Sequence, residues 1–288
     1  TKARMRFYPG SVERFLLLSS FAFDSSVAGI FWTLCSGGSL VLPPSRKEQD
    51  IDYLSALMAD HQVSHLLCLP ALYRLLLEHA KHTALESLRL AIVAGEACPP
   101  DLVEAHQACT AGASLYNEYG PTEGTVWCTV HKLEVDDRKR ERIPIGRPIQ
   151  GTQVLVRDQH GQCLPDGIAG ELCLRGPGVV QGYLHRAELT AAVFEEPSQI
   201  PGSPIAESSA SRIYRTGDLG YRQADESLQF IGRVDSQVKI RGYRIEPTGI
   251  AVVLKAHPAV ADAAVIYKSA TDGVPRARLV AYVDVRET

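Results

Sequence analysis

Between Arg14 and Cys109 the chain alternates short apolar runs with amphipathic ones, a rhythm that few folds can satisfy. The stretch RFLLLSSFAFDSSVAGIFWTLCSGGSLVLPP opens as an apolar strand, turns at Phe23-Asp24-Ser25, continues as a helix and ends in a second strand, SLVLPP. Residues 51–61 put Leu54, Leu57, Met58 and His61 on one helical face, and VSHLLCLP follows as a strand. Pro70 suits the first turn of the next helix, with Leu72, Leu75 and Leu76 at helical spacing. LRLAIVAGEACPP reads as a strand closed by a glycine turn, and DLVEAHQAC as a helix capped by Asp101. Strands that alternate with helices re-enter one sheet in the same direction. The expected class is therefore α/β, a large lobe of helix-covered, mainly parallel sheet with ligands at the strand ends.

Near residue 140 the period changes. Runs such as TQVLVRD, GELCLRG and SLQFIGR alternate between glycine and proline turns, which predicts a β-rich subdomain over residues 140–234. SQIPGSPIAESSASR, residues 198–212, is small and polar and reads as a mobile surface loop. Beyond Asp235, a hairpin around QVKIRGYRIEP, a helix through TGIAVVLKAHPAV and strands DAAVIYK and RLVAYVDV make part of a small α+β unit. The expected division is a large N-terminal lobe, 1–234, and the start of a small C-terminal subdomain, 235–288; no internal repeat is visible.

With 288 residues, 45% of them hydrophobic, the chain can bury a substantial core. Thirty basic against thirty-three acidic residues give a formal charge of -3, so nothing here neutralises a phosphate backbone or an anionic bilayer; neither nucleic acid nor membrane is an expected partner. No apolar run approaches the ~20 residues of a membrane helix. The start TKARMRFYPG lacks the apolar core of a secretion signal, and the expected compartment is the cytoplasm. The seven cysteines are odd in number and show no C-x-x-C spacing, which argues against a disulfide framework or a zinc site and for small reduced thiols in the core.

SLYNEYGPTEGTVWC, residues 114–128, sets Asn117, Tyr119, Thr122 and Glu123 around a tight turn between two strand-like runs. Loops held by apolar strands present amides, hydroxyls and carboxylates to ligands, so the segment reads as a polar ligand shelf. Together, NEYGPTEGTVW, GELCLRGPGVVQGYLHRAELTAAVF, YRTGDLGYR and GRVDSQVKIRGYRIEP resemble, in order and spacing, the core motifs of adenylation domains of nonribosomal peptide synthetases, in the adenylate-forming, AMP-binding superfamily. The resemblance runs from residue 15 to 288. It implies an enzyme that activates an amino acid with ATP and Mg2+ as aminoacyl-AMP, releases pyrophosphate, and passes the aminoacyl group to the phosphopantetheine thiol of a peptidyl carrier domain among other synthetase modules.

The same resemblance implies roles. Tyr119 stacks on adenine, Asn117 meets its exocyclic amine, Thr122 bonds phosphate and Glu123 holds magnesium; Gly95, Glu96, Ala97 and Gly120 border the nucleotide. The residue types suit these tasks: an aromatic face for a base, a hydroxyl for an anionic oxygen, a hard carboxylate for Mg2+. Asp218 takes the ribose hydroxyls, Arg233 reaches ribose or phosphate, and Phe230 lines the nucleotide or, as an aromatic on a strand, belongs to the core. Asp235 is the implied hinge between the lobes, and Gly242 belongs to the face offered for thiolation.

Asp24 is, on spacing alone, either a helix N-cap or a ligand group; the resemblance implies the partner of the substrate's α-ammonium. The remaining implied acid-binding positions are Ser25, Ala28, Cys68, Ile92, Ala94, Glu118, Val126 and Trp127. A buried carboxylate without a partner is costly, so Glu118, unless it points away from the cavity, hints at a polar or basic amino acid. The family's phosphate loop and its C-terminal lysine match nothing here and are expected before residue 1 and beyond Thr288. Two other readings share some of these motifs, a carboxylate-CoA ligase and a non-catalytic module that keeps the fold as an interaction platform. A dinucleotide-binding oxidoreductase is not supported, because no G-x-G-x-x-G follows the early strands.

Overall fold

The computed structural model describes residues 1–110, 112–196, 212–240, 242–268 and 278–286, which form two compact units, Thr1–Gly232 and Arg233–Thr288. The first unit begins with α1 (Lys2–Phe7), β1 (Arg14–Leu17), α2 (Asp24–Cys35), β2 (Ser39–Val41), α3 (Ile51–Asp60), β3 (His65–Cys68), α4 (Pro70–His79), α5 (His82–Leu85), β4 (Leu90–Ala94), α6 (Asp101–Cys109) and β5 (Ser114–Tyr119). β6 (Thr129–Lys132) and β7 (Arg147–Pro148) follow. These strands make a seven-stranded sheet in the order β2-β1-β3-β4-β5-β6-β7, parallel through β5 and antiparallel beyond it. The expected α/β class is what the structure has.

The register sorts the side chains. Leu67, Ile92 and Tyr116 align across β3, β4 and β5, while Cys68, Val93 and Asn117 align one position later on the opposite face. The first row packs with Tyr8, Phe15, Leu17, Trp32 and Trp127, and the second face packs with Leu54, Met58, Tyr73, Leu76 and Leu102 of α3, α4 and α6. Burying each such side chain contributes roughly 1.5–3 kcal/mol, so both faces are well anchored.

Three local expectations change. On α4 the buried residues are Pro70, Tyr73, Leu76 and Leu77, while Leu75 stays 42% exposed and Leu72 is half-buried. Tyr73 wins the interior position because its hydroxyl finds a partner there, His106 Nδ1 at 2.6 Å. Asp101 is the first residue of α6 rather than its cap, which is Pro100, and its carboxylate accepts from Arg74 Nη2 at 2.5 Å. His61 lies just past the end of α3 and is exposed.

The β-rich part contains β8 (Gln153–Arg157), β9 (Gly170–Arg175), α7 (Ala187–Val193), β10 (Phe194–Glu195), β11 (Ile213–Arg222) and β12 (Leu228–Arg233). Its sheet runs β10-β11-β9-β8, with β12 on β11. Its core of Val154, Leu172, Leu174, Phe194, Tyr214 and Leu228 also takes in Tyr119 and Cys128, which ties it to the end of β5. The polar loop expected over 198–212 lies, but for Arg212, outside the described residues.

The second unit, by itself, is a hairpin of β13 (Val238–Ile240) and β14 (Tyr243–Ile245), then α8 (Pro247–Lys255) and the antiparallel pair β15 (Val260–Lys268) and β16 (Arg278–Val285). All seven cysteines are free thiols, four of them buried. Among the described residues no helix is long and apolar enough to cross a membrane.

Candidate functional site

The order β2-β1-β3 reverses direction between β1 and β3, and in open parallel sheets ligands bind at the carboxyl ends of strands beside such a reversal. Asp24 follows β1 as the first residue of α2, Gly95, Glu96 and Ala97 follow β4, and Gly120 to Glu123 follow β5. The sheet brings to one edge residues nearly a hundred positions apart.

Strand alternation then divides them. Ala94 aligns with Glu118, placing Ile92, Ala94 and Glu118 on the face shared with Trp127 and Trp32. Asn117 and Tyr119 point to the other face. Cys68, aligned with Val93, is packed on that second face in the core under α4, so the structure does not bring it together with Ile92 and Glu118. Burial pushes its thiol well above the usual range and keeps it neutral.

On the Tyr119 side, two motifs 99 residues apart in sequence meet: the Tyr119 hydroxyl donates to Asp218 Oδ2 at 2.5 Å. Both are buried, and desolvation together with the Asp218 charge raises the Tyr119 phenol well above its normal value, so it stays a donor. Asp218 is aimed by an irregularity in β11, where pairing with β9 shifts between Arg215 and Leu219, Gly217 sits at φ 71°, and the Thr216 hydroxyl accepts from the Asp218 amide at 2.9 Å. Phe230 packs against the β-rich core, the second of its two readings, with its ring 6.5 Å from that of Tyr119. Asn117 donates to the Pro144 carbonyl at 2.9 Å, which orients its amide.

The turn after β5 is tightly built. A Cβ on Gly120 would meet Trp127 Cα at 2.5 Å and the Val126 carbonyl oxygen at 2.6 Å, so a side chain is excluded there. Thr125 and Val126 hold φ of 61° and 75°, and Val126 as a β-branched residue is strained at that angle. The Thr125 hydroxyl secures the conformation by donating to the Gly178 carbonyl at 2.5 Å. Glu123, buried, accepts from the Tyr183 hydroxyl at 2.5 Å, and burial followed by that bond raises the Tyr183 phenol. Thr122 is exposed and its hydroxyl makes no hydrogen bond among the described residues.

On the other face, Asp24 is half-buried and engages no hydrogen bond or ion pair among the described residues; Phe23, not Asp24, is the helix cap. Ser25 donates to Ser19 Oγ at 2.9 Å, and Ala28 lies one helical turn beyond Asp24. Glu118 is not an isolated carboxylate: Arg4 grips it bidentately at 2.7 and 2.6 Å, and Tyr8 donates to it as well. The premise for a basic substrate is thereby removed, because the cation that burial demands is supplied from α1.

Arg4, Tyr8 and Tyr183 are absent from the sequence-derived set. Tyr183 lies inside a matched motif, so the signal was available. Arg4 was disguised, since TKARMRFYPG looks like a solvated basic segment. In the second unit, Arg233 donates from Nε and Nη2 to the two Asp235 oxygens, both at 2.7 Å, and this pairing lowers the Asp235 carboxyl. Gly242 takes φ 78°.

Residues 2–184 match the family described as AMP-binding enzyme. A plipastatin synthase of Bacillus subtilis is 41% identical over 269 residues, 93% of this chain and 10% of that protein. Among solved structures, the Vibrio cholerae adenylation domain AlmE in complex with glycyl-adenosine-5'-phosphate superposes with a TM-score of 0.83 at 28% identity, covering 100% of this chain and 53% of that one. A holo NRPS protein containing adenylation and PCP domains gives 0.82 at 29% identity, covering 96% and 46%. The chain thus spans about half of these solved chains and a tenth or less of the first synthetases it matches.

Proposed function

The chain belongs to the AMP-binding enzyme family, and from that premise we propose that it is the central part of an amino-acid-adenylating ligase of nonribosomal peptide synthesis. In this reading, residues 1–234 are most of the nucleotide- and acid-binding lobe and 235–288 the start of the small subdomain, turning about Asp235. The amino acid attacks the α-phosphorus of ATP through its own carboxylate, so no general base is needed, and pyrophosphate leaves. The aminoacyl group then passes to the phosphopantetheine thiol of a carrier domain, in the cytoplasm. The carrier step is favoured by similarity to a solved protein that joins adenylation and PCP domains.

One observation carries the reading. Tyr119 and Asp218 meet at 2.5 Å at the carboxyl end of β5, where one supplies an aromatic face and the other a carboxylate able to accept from two hydroxyls, the demands of a nucleoside. The donor set fits Mg2+ too: Glu123 is a hard oxygen ligand held by Tyr183, and a magnesium ion takes one or two carboxylates with phosphate and water completing its shell. When bound, the ion neutralises developing phosphate charge. Thr122, exposed and with no hydroxyl partner among the described residues, serves phosphate; Gly95, Glu96, Ala97, Asn117, Gly120 and Phe230 complete the nucleotide side. Asp24, whose carboxylate has no protein partner among the described residues, takes the α-ammonium, beside Ser25, Ala28, Ile92, Ala94, Val126 and Trp127.

The test is ATP–pyrophosphate exchange by the complete domain across a panel of carboxylic acids. Exchange stimulated by an amino acid and lost in Asp24→Ala is expected. Exchange with aryl or fatty acids alone, or release of product to free coenzyme A, would replace this reading with a CoA ligase.

A further inference from the structure

Glu118 sits at the carboxyl end of β5 on the face of Ile92 and Ala94, yet both of its oxygens are occupied by Arg4 and one also by Tyr8. The three residues are exposed to only 3%, 1% and 2%. The Arg4 guanidinium lies 4.4 Å from the centroid of the Trp127 ring, with Trp32 at 5.8 Å and Tyr8 at 6.0 Å, so aromatic faces and one carboxylate account for its surroundings. A buried carboxylate standing alone would attract a cationic group to cancel its charge. One already clamped by a guanidinium offers no uncompensated charge, and the guanidinium repels a second cation.

We propose that Arg4 and Tyr8 are positioning residues for substrate choice: by occupying Glu118 they keep this wall of the acid site neutral, and the chain selects an amino acid with an uncharged side chain over lysine, ornithine or arginine. The inference rests on the amino-acid-activating reading above. The other positions on this wall agree with it. Ala28, Ile92, Ala94 and Trp127 offer apolar surface, and Asp24 remains the one carboxylate of the set without a cationic partner among the described residues, matched to the α-ammonium. Arg4 acts through Glu118 from α1.

The test compares wild type, Arg4→Lys, Arg4→Met and Arg4→Met/Glu118→Met in the complete domain, reading pyrophosphate exchange with leucine, phenylalanine, glutamine, lysine, ornithine and arginine, and with benzoate and octanoate as an aryl and a fatty acid. Wild type should use uncharged members of the panel, with kcat/KM for the three cationic ones lower by about 100-fold or more. Arg4→Met, which bares the Glu118 charge, should raise the cationic-to-uncharged ratio by roughly tenfold or more and leave the KM for ATP within about twofold. Arg4→Lys keeps the cation and should keep the ratio. The double variant removes both charges, which protects its folding, and should retain the uncharged preference. Fastest exchange of wild type with a cationic amino acid overturns the inference, and so does an Arg4→Met protein whose exchange falls by the same factor for every amino acid; both leave the amino-acid-activating reading standing. If Arg4→Met does not fold, the wild-type panel and Arg4→Lys still decide. A wild type that exchanges only aryl or fatty acids removes the underlying reading, and the inference with it.

Discussion

On one face of β5, Asn117 and Tyr119 donate to partners from later in the chain, the Pro144 carbonyl and Asp218; on the other, Glu118 accepts from Arg4 and Tyr8, which come from the first ten residues. Consecutive residues of one strand therefore serve two environments, because side chains alternate every residue. The two differ in what they leave over. Tyr119 donates its hydroxyl to Asp218 while its ring packs beside Phe230 at the end of β5. Glu118 is saturated by a cation and has nothing left to offer. In the proposed reading the first face serves the nucleotide, and at Glu118 the second is closed to a further cation.

If that contrast is right, single substitutions should cost very different amounts. The largest effect on stability is expected for Arg4→Met, which strands a buried carboxylate: about 3–5 kcal/mol, read by thermal denaturation as a fall of roughly 10 °C or more. Removing both charges in Arg4→Met/Glu118→Met should recover most of that loss. A single variant as stable as wild type would mean that the Glu118 side is not a closed charge pair.

Acid should act next, and unevenly. His65, on the Glu118 face against Trp32, is held to about 4 by burial and then by the Arg89 charge, with Glu13 opposing. Its folded value lies below the free one, so the unfolded chain takes up the proton first. Stability is complete above pH 6.5 and falls between pH 6.5 and 4, by about 3 kcal/mol at 1.36 kcal/mol per unit. His65→Gln should flatten the stability profile over that window; an unchanged profile would contradict the burial argument. His106, on the opposite face, is lowered too, by burial and against its bond to the Ala113 carbonyl.

The smallest change is expected for Tyr119→Phe, which keeps the ring and deletes one hydrogen bond to Asp218. Its stability cost should be about 1–3 kcal/mol, with KM for ATP raised and the amino-acid preference unmoved. A changed amino-acid preference would erase the distinction between the faces.

Much of the fold was legible because period and punctuation agree. The strand–helix alternation, the shift to short alternating strands and the turn at Gly120 all have local causes, and the local cause survives packing. The motif at 114–128 was legible for the same reason, with Gly120 required by contacts inside its own segment. What failed depended on long-range partners. Leu75 looked as apolar as Leu76, yet Tyr73 took the interior because His106 waited there. Cys68 is adjacent in sequence to a residue of the Ile92 row and so faces away, which only the register reveals. Glu118 read as an unpaired charge because its partner lies 114 positions upstream in a segment that looks like surface.

The most direct measurement is the pair of Michaelis constants for ATP and for the preferred amino acid, in the complete domain carrying Asn117→Ala or Glu118→Gln. A crossed result is expected: Asn117→Ala raises the KM for ATP by about tenfold and barely moves that for the amino acid, while Glu118→Gln does the reverse. If both neighbouring substitutions raise the same constant, β5 does not divide nucleotide from acid.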